Sequence, residues 1–297
     1  MKKTVYALGY FDGVHSGHRA LLEACRTLAE KNNCHCGAVT FSGHPQNLLT
    51  GISVGLINTN DVRETLLRAE VSEVVFLPFD EHLMAMPWQD FCEMLIKEHH
   101  AGGFVCGSDF RFGKGGEGTA QCLASFCRDR ELVCEILPQQ TLSGIRVSST
   151  HIRQLLEQGN IREANAFLGH PHMLAGIVGH GKQLGRTIGI PTANLPYPRE
   201  LISLPHGVYA CKAFTESGCY PALMNIGTRP TVSGKGITAE CHLIDFSGDL
   251  YGKKLVVYFY DFLRPEHKFP DLSCLEKQVE KDKENLQNII QNCTLHP

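Results

Sequence analysis

Along the first 170 residues, short apolar runs alternate with segments whose apolar residues recur every three or four positions. Residues 4–8 read as a strand. Residues 19–31 read as a helix, with Leu21, Leu22, Cys25, Leu28 and Ala29 at helical spacing. Further strands are predicted at 36–41, 73–77, 103–106 and 132–137, and helices at 58–69, 88–98, 120–130 and 161–167. Repeated βα units predict a doubly wound parallel α/β sheet, which binds ligands beyond the carboxyl ends of its strands. Past residue 170 the pattern changes. Gly and Pro separate short β-branched or aromatic runs at 174–178, 208–214, 222–226, 238–244 and 255–262. These predict an antiparallel β-barrel or sandwich. A last helix is expected over 271–291, with Leu275, Val279, Leu286 and Ile290 among Lys and Glu. The boundary falls near 168–172, giving domains 1–170 and 171–297.

Composition supports two globular cores: of 297 residues, 43% are hydrophobic and 20% charged, which argues against long disorder. The net charge of −3 leaves neither half with the basic excess of a general nucleic-acid binder. No stretch approaches the roughly 20 apolar residues of a membrane span. The start of the chain lacks the apolar region of a signal peptide. Thirteen cysteines is an odd number, and no C-x-x-C occurs, so reduced thiols and a cytoplasmic location are expected. Cys34-His35-Cys36 alternates as a strand does and lacks the ligand set of a structural zinc site.

The strongest local signal is Gly9-Tyr10-Phe11-Asp12-Gly13-Val14-His15-Ser16-Gly17-His18, between the first strand and the first helix. Gly9, Gly13 and Gly17 allow close backbone approach. His15 and His18, three apart, point the same way on the first helical turn. Two imidazoles at a helix N-terminus could donate to phosphate oxygens. A plain turn with two surface histidines, or a metal pair lacking its third ligand, are the alternatives. Ser148 or Ser149 can cap a helix beginning near Thr150, and Arg153 lies near its N-terminal end. These could form a second cationic wall, or simply an ordinary capped helix. Two spacings are decoys. Gly113–Gly118 satisfies G-x-G-x-x-G but does not immediately follow a strand. The run from Gly176 through Gly181-Lys182 carries Gln183 where a P-loop needs Ser or Thr.

Residues 9–18 resemble the signature of the HxGH nucleotidyltransferases, in particular the adenylyltransferase half of bacterial bifunctional riboflavin kinase/FAD synthetases. Thr40-Phe41-Ser42-Gly43-His44-Pro45, Gly107-Ser108-Asp109-Phe110-Arg111-Phe112-Gly113 and Val147-Ser148-Ser149-Thr150-His151-Ile152-Arg153 follow in that family's order. Gly43 replaces the family's proline, which should loosen its loop. In the second half, Gly185-Arg186-Thr187-Ile188-Gly189-Ile190-Pro191-Thr192-Ala193-Asn194 resembles the riboflavin kinase segment. So do Asn225-Ile226-Gly227-Thr228-Arg229-Pro230-Thr231, Glu240, the segment from Asp245 to Gly252, and Leu263-Arg264-Pro265-Glu266.

The resemblance implies a β-barrel that phosphorylates riboflavin with ATP to FMN, and an α/β domain that transfers AMP from ATP to FMN, giving FAD and pyrophosphate. It implies His15, His18, Arg153 and Glu240 as catalytic residues, Glu240 being the base on the ribityl hydroxyl. Nucleotide would be bound by Gly9, Phe11, Asp12, Gly13, Ser149 and Thr150 in the first half, and by Gly179, Gly181, Lys182, Gly185 and Arg186 in the second. Flavin would lie near His44, Pro45, Asp109, Phe110, Phe112 and Arg264. Thr192 and Asn194, neutral oxygen donors two apart on an extended segment, would hold Mg²⁺. The alternative is a riboflavin kinase whose first half binds nucleotide or flavin in a regulatory role. Only small-molecule partners are expected, without nucleic acid or membrane, in a monomer or weak homo-oligomer.

Overall fold

Strand β1 (Thr4–Leu8) buries every residue. Tyr6 and Leu8 join one apolar cluster, and Val5 and Ala7 the other. Such two-sided burial marks the centre of a sheet covered on both faces. The computed structural model describes residues 2–43, 54–180, 190–231 and 234–291. It divides into two compact units, Met1–Ser149 and Thr150–Pro297.

In the first unit, β1 is followed by α1 (Ser16–Lys31), β2 (His35–Ser42), α2 (Asn60–Arg68), β3 (Glu73–Pro78), α3 (Glu81–Ala85), α4 (Trp88–His99) and β4 (Ala101–Gly107). A short hairpin, β5 (Arg111–Phe112) with β6 (Gly118–Thr119), leads to α5 (Ala120–Asp129) and β7 (Val133–Leu137). A second hairpin, β8 (Thr141–Leu142) with β9 (Ile145–Arg146), precedes α6 (Ser149–Glu157). The five parallel strands lie in the order β3-β2-β1-β4-β7. The order reverses between β1 and β4. The loops leaving these strands, at Gly9 and at Ser108, therefore flank the crevice where such sheets bind ligands. Gly113 and Gly118 serve the β5–β6 hairpin, where a Cβ would lie 2.5 and 2.7 Å from the Trp88 Cβ.

The second unit holds α7 (Ile161–Leu168), β10 (His172–Ile177), β11 (Ala193–Leu195), β12 (Gly207–Thr215), β13 (Gly218–Thr231), β14 (Gly234–Leu243), β15 (Lys254–Pro265) and α8 (Leu272–Gln291). Its antiparallel sheet runs β10-β15-β12-β13-β14-β11, and a Gly179–Asn194 bridge joins its ends in a half-barrel. Val279 and Leu286 of α8 cover Val208, Ala210 and Leu223. Residues 150–168 pack in this unit, ahead of the boundary expected at 168–172. The physical tie is Asn165, buried, whose Nδ2 donates to the Phe259 carbonyl of β15 and whose Oδ1 accepts the His172 amide, both at 2.8 Å.

Candidate functional site

The loop from Gly9 to His18 is tightly wound. Phe11, Gly13 and Val14 have φ of 54, 82 and 40°. For β-branched Val14 this is a strained conformation, which persists only when its surroundings over-determine it. They do: Phe11 and Val14 are fully buried. A Cβ at Gly9 would lie 3.1 Å from the Phe11 ring, a tight contact that the ring would have to relieve by moving. The Phe11 side chain thus belongs to the core, and any nucleotide contact at this position falls to its backbone. Asp12 is also completely buried. Its carboxylate accepts the Ile57 amide at 3.0 and 3.1 Å and the Asn58 amide at 3.3 Å. Both side chains therefore shape the loop.

Helix α1 starts at Ser16, three residues earlier than its apolar spacing suggested, because His15 caps it. Its Nδ1 accepts the His18 amide at 3.2 Å. A neutral imidazole that accepts at Nδ1 carries its proton on Nε2, so Nε2–H is the donor His15 can offer a phosphate. The His15 and His18 rings stack at 3.6 Å, 10° from parallel. Ser149 joins this assembly by donating to the Asp12 carbonyl at 2.9 Å. Thr150 and Arg153 lie on the first turns of α6, Thr150 exposed and Arg153 half-buried.

Beyond β4, Asp109 is exposed and paired with Arg146. Phe110 is half-buried and stacks on Phe112 at 5.2 Å. Phe112 itself is only 6% exposed, set between Trp88 and Phe91. Its ring backs Phe110 from within the core, so of the two expected flavin contacts only Phe110 offers a face. His44 and Pro45 lie outside the described residues, as do Gly181, Lys182, Gly185 and Arg186.

The second unit organises its site by strand register. Asn194 pairs with Glu240, Glu240 with Asn225, Asn225 with Val208, and Val208 with Arg264. Residues directly opposite in a sheet project from the same face. One row therefore crosses five strands, and Glu240, Asn225, Val208 and Arg264 line a cavity of about 620 Å³. Ala239 and Cys241 are buried on the other face, and burial pushes the Cys241 thiol up to about 12. Thr192 lines the cavity and also a smaller one of about 80 Å³, bounded by Phe246, Asp249 and Tyr251. Gly179, exposed, donates its amide to the Asn194 carbonyl at 2.9 Å.

Three residues of this wall escaped the sequence reading. His242, two after Glu240, donates from Nδ1 to the Pro191 carbonyl at 2.8 Å, and burial lowers its pKa. The period-two pattern of a strand would have placed it beside Glu240. Asn225 opens a segment that resembles the riboflavin kinase family, but nothing in that segment by itself sets it beside Glu240. Asp282 on α8 holds Arg264, accepting from its Nε at 3.0 and 3.2 Å and its Nη2 at 2.8 Å, while Gln278 donates to it at 2.8 Å. Asp282 lies three residues after Val279 and four before Leu286, a carboxylate on the apolar stripe of its helix, and that spacing was the available signal.

A parallel sheet with paired histidines at its switch point, followed by an antiparallel sheet carrying a carboxylate in its cavity, combines two transferase folds in one chain. Family models agree: one described as FAD synthetase matches residues 1–151, and one described as riboflavin kinase matches 168–290. A bifunctional riboflavin kinase/FMN adenylyltransferase from Bacillus subtilis (strain 168) is 33% identical over 98% of this chain and 93% of its own. One from Escherichia coli (strain K12) is 37% identical over 94% and 90%. A crystal structure from Streptococcus pneumoniae, described as a macrolide-efflux protein, is 32% identical and superposes with a TM-score of 0.87, covering 97% of this chain and 94% of that one. No helix among the described residues is long and apolar enough to cross a membrane. The chain belongs to the bifunctional riboflavin kinase/FMN adenylyltransferase family.

Proposed function

We infer that the chain makes FMN from riboflavin and FAD from FMN, with ATP as co-substrate in both reactions and one reaction in each unit. The observation that carries the kinase assignment is the row from Asn194 to Arg264, which sets Glu240 on the wall of a flavin-sized cavity. Glu240 takes the proton of the ribityl 5′-hydroxyl as that oxygen attacks the γ-phosphorus of ATP, and the bond to the β,γ-bridging oxygen breaks with ADP as the leaving group. Thr192 and Asn194 offer neutral oxygen donors beside Glu240, a donor set that fits Mg²⁺ together with ATP phosphates. Bound there, the ion would neutralise polyphosphate charge. Asp282 keeps Arg264 at the flavin end of the row.

In the first unit, the phosphate of FMN attacks the α-phosphorus of ATP and pyrophosphate leaves. No protein nucleophile is needed. The His15 Nε2–H and the His18 ring stacked on it stabilise charge growing on the phosphate oxygens, while Ser149 ties its hydroxyl to the Asp12 carbonyl and so steadies the loop that presents them. The free thiols of the described cysteines fit a reducing cytoplasm.

The test is to incubate the chain with riboflavin, ATP and Mg²⁺ and separate the flavins by chromatography. Glu240→Gln should lower FMN formation by ~10²–10⁴, while supplied FMN still becomes FAD. Unchanged FMN formation would remove Glu240 from the mechanism.

A further inference from the structure

Arg63, on α2, is wholly buried. A guanidinium stays protonated even there, although burial lowers its pKa. Among the described residues it forms no ion pair, and the charge of Asp12 acts on it only through space. Its hydrogen bonds go to two carbonyls and one amide. Nη1 donates to the Tyr10 carbonyl at 2.9 Å, and Nη2 donates to the Phe41 carbonyl and to Asn60 Oδ1, the latter at 2.6 Å. The guanidinium carbon sits 4.8 Å from the Tyr10 ring centre and 5.2 Å from that of Phe76. A buried cation without a contacting carboxylate is costly, so what it holds is informative.

It holds the exits of two neighbouring strands. Tyr10 is the second residue after β1, at the mouth of the histidine loop, and Phe41 is at the end of β2. The Tyr10 carbonyl also accepts from Thr40 Oγ1 at 2.7 Å, so both of its lone pairs are engaged. That fixes the peptide plane leading into the strained stretch at Phe11, Gly13 and Val14. Asp12 fastens the same loop from the other side, through the Ile57 and Asn58 amides just before α2. Residues 57–63 thus form a cradle under the loop that presents His15 and His18.

We propose that Arg63 is a positioning residue for adenylyl transfer: its planar fork sets the geometry of the histidine loop without touching substrate. The inference rests on the role given to the histidines under Proposed function. Lysine retains the charge but cannot span three acceptors.

The full chain carrying Arg63→Lys should convert FMN to FAD with kcat lowered by about 10²-fold, the scale of a small misplacement at the reacting atoms. The KM values for ATP and FMN should change by less than about threefold, and riboflavin phosphorylation should not change. Where Arg63→Met fails to fold, Arg63→Lys carries the test, assayed below its melting temperature. Adding Arg63→Lys to His18→Ala should cause little further loss, since the arginine acts through the loop. Overturning results are a wild-type kcat in Arg63→Lys, a loss appearing in KM alone, or effects that multiply fully with His18→Ala. If His18→Ala by itself leaves FAD formation intact, the histidine assignment fails, whatever Arg63→Lys does.

Discussion

Changing Asp282 to Asn tests whether the final helix builds the flavin end of the kinase cavity. The substitution preserves shape but turns one carboxylate oxygen into an NH₂ group. Asp282 accepts from Arg264 and from Gln278, so an amide must face at least one of these donors with a donor of its own. The side chain of Asp282 is 2% exposed and that of Arg264 19%, which leaves the guanidinium largely buried without its counter-charge. Breaking a buried pair from one side costs about 3–5 kcal/mol, and the partial exposure of Arg264 favours the lower end. A loss of about 3 kcal/mol in a unit of this size corresponds to a fall of roughly 6–12 °C in melting temperature. Scanning calorimetry of the full chain would measure it. Below the melt, the KM for riboflavin should rise as Arg264 loses its fixed position, while conversion of supplied FMN to FAD should stay at the wild-type rate. The double variant Arg264→Met with Asp282→Leu should recover much of the stability, since an apolar pair of similar volume is often as stable, but not riboflavin affinity. A melting temperature within 1 °C of wild type, with an unchanged KM for riboflavin, would refute the argument.

Further outcomes follow from the same geometry. His15→Asn should retain the helix cap, since Asn is a good N-cap, yet lower FAD formation by ~10²–10³ through loss of the Nε2 donor; helicity by circular dichroism and separate FMN and FAD assays distinguish cap from catalysis. His172 is fully buried beside His170 and its pKa is pushed down to about 3. It stays neutral in the folded chain and protonates near 6.5 in the unfolded one, so its stabilising effect is complete above pH 6.5 and is lost as pH falls from 6.5 towards 3. The loss is at most ~1.4 kcal/mol per pH unit, and denaturant unfolding of His172→Phe should show a shallower decline over that window. A fragment starting near residue 150 should melt higher than one starting at 172, because the latter lacks Asn165 and its ties to β15. Equal melting of the two fragments would show that α7 adds nothing to the barrel.

Periodicity located most of the long elements, though not β11, the short strand that carries Asn194. Residues 4–8 match β1, and the helices expected at 88–98, 120–130 and 271–291 differ from α4, α5 and α8 by only a residue at one end. These segments are continuous in sequence, and their burial pattern is set by one local geometry. The spacing of His15 and His18 drew attention to the loop after β1, whereas Thr192, Asn194 and Glu240 were singled out through the family resemblance of their segments. The start of α1 was misplaced because its cap is a histidine, outside the usual capping residues. Phe112 looked like a loop aromatic, since nothing in its own neighbourhood shows that Trp88 and Phe91 enclose it. Asp12 looked like a ligand contact, because the amides that occupy it come from Ile57 and Asn58, across β2. The row from Asn194 to Arg264 joins residues up to 70 positions apart, and only strand register brings them to one face. Arg63 and Asp282 are the clearest cases. Each is a charged residue on a helix that composition would assign to solvent, and each is buried because the acceptors or donors that compensate it belong to distant strands. Local sequence fixes the period of an element and the chemistry it carries. Long-range packing decides which charges are desolvated and what they hold.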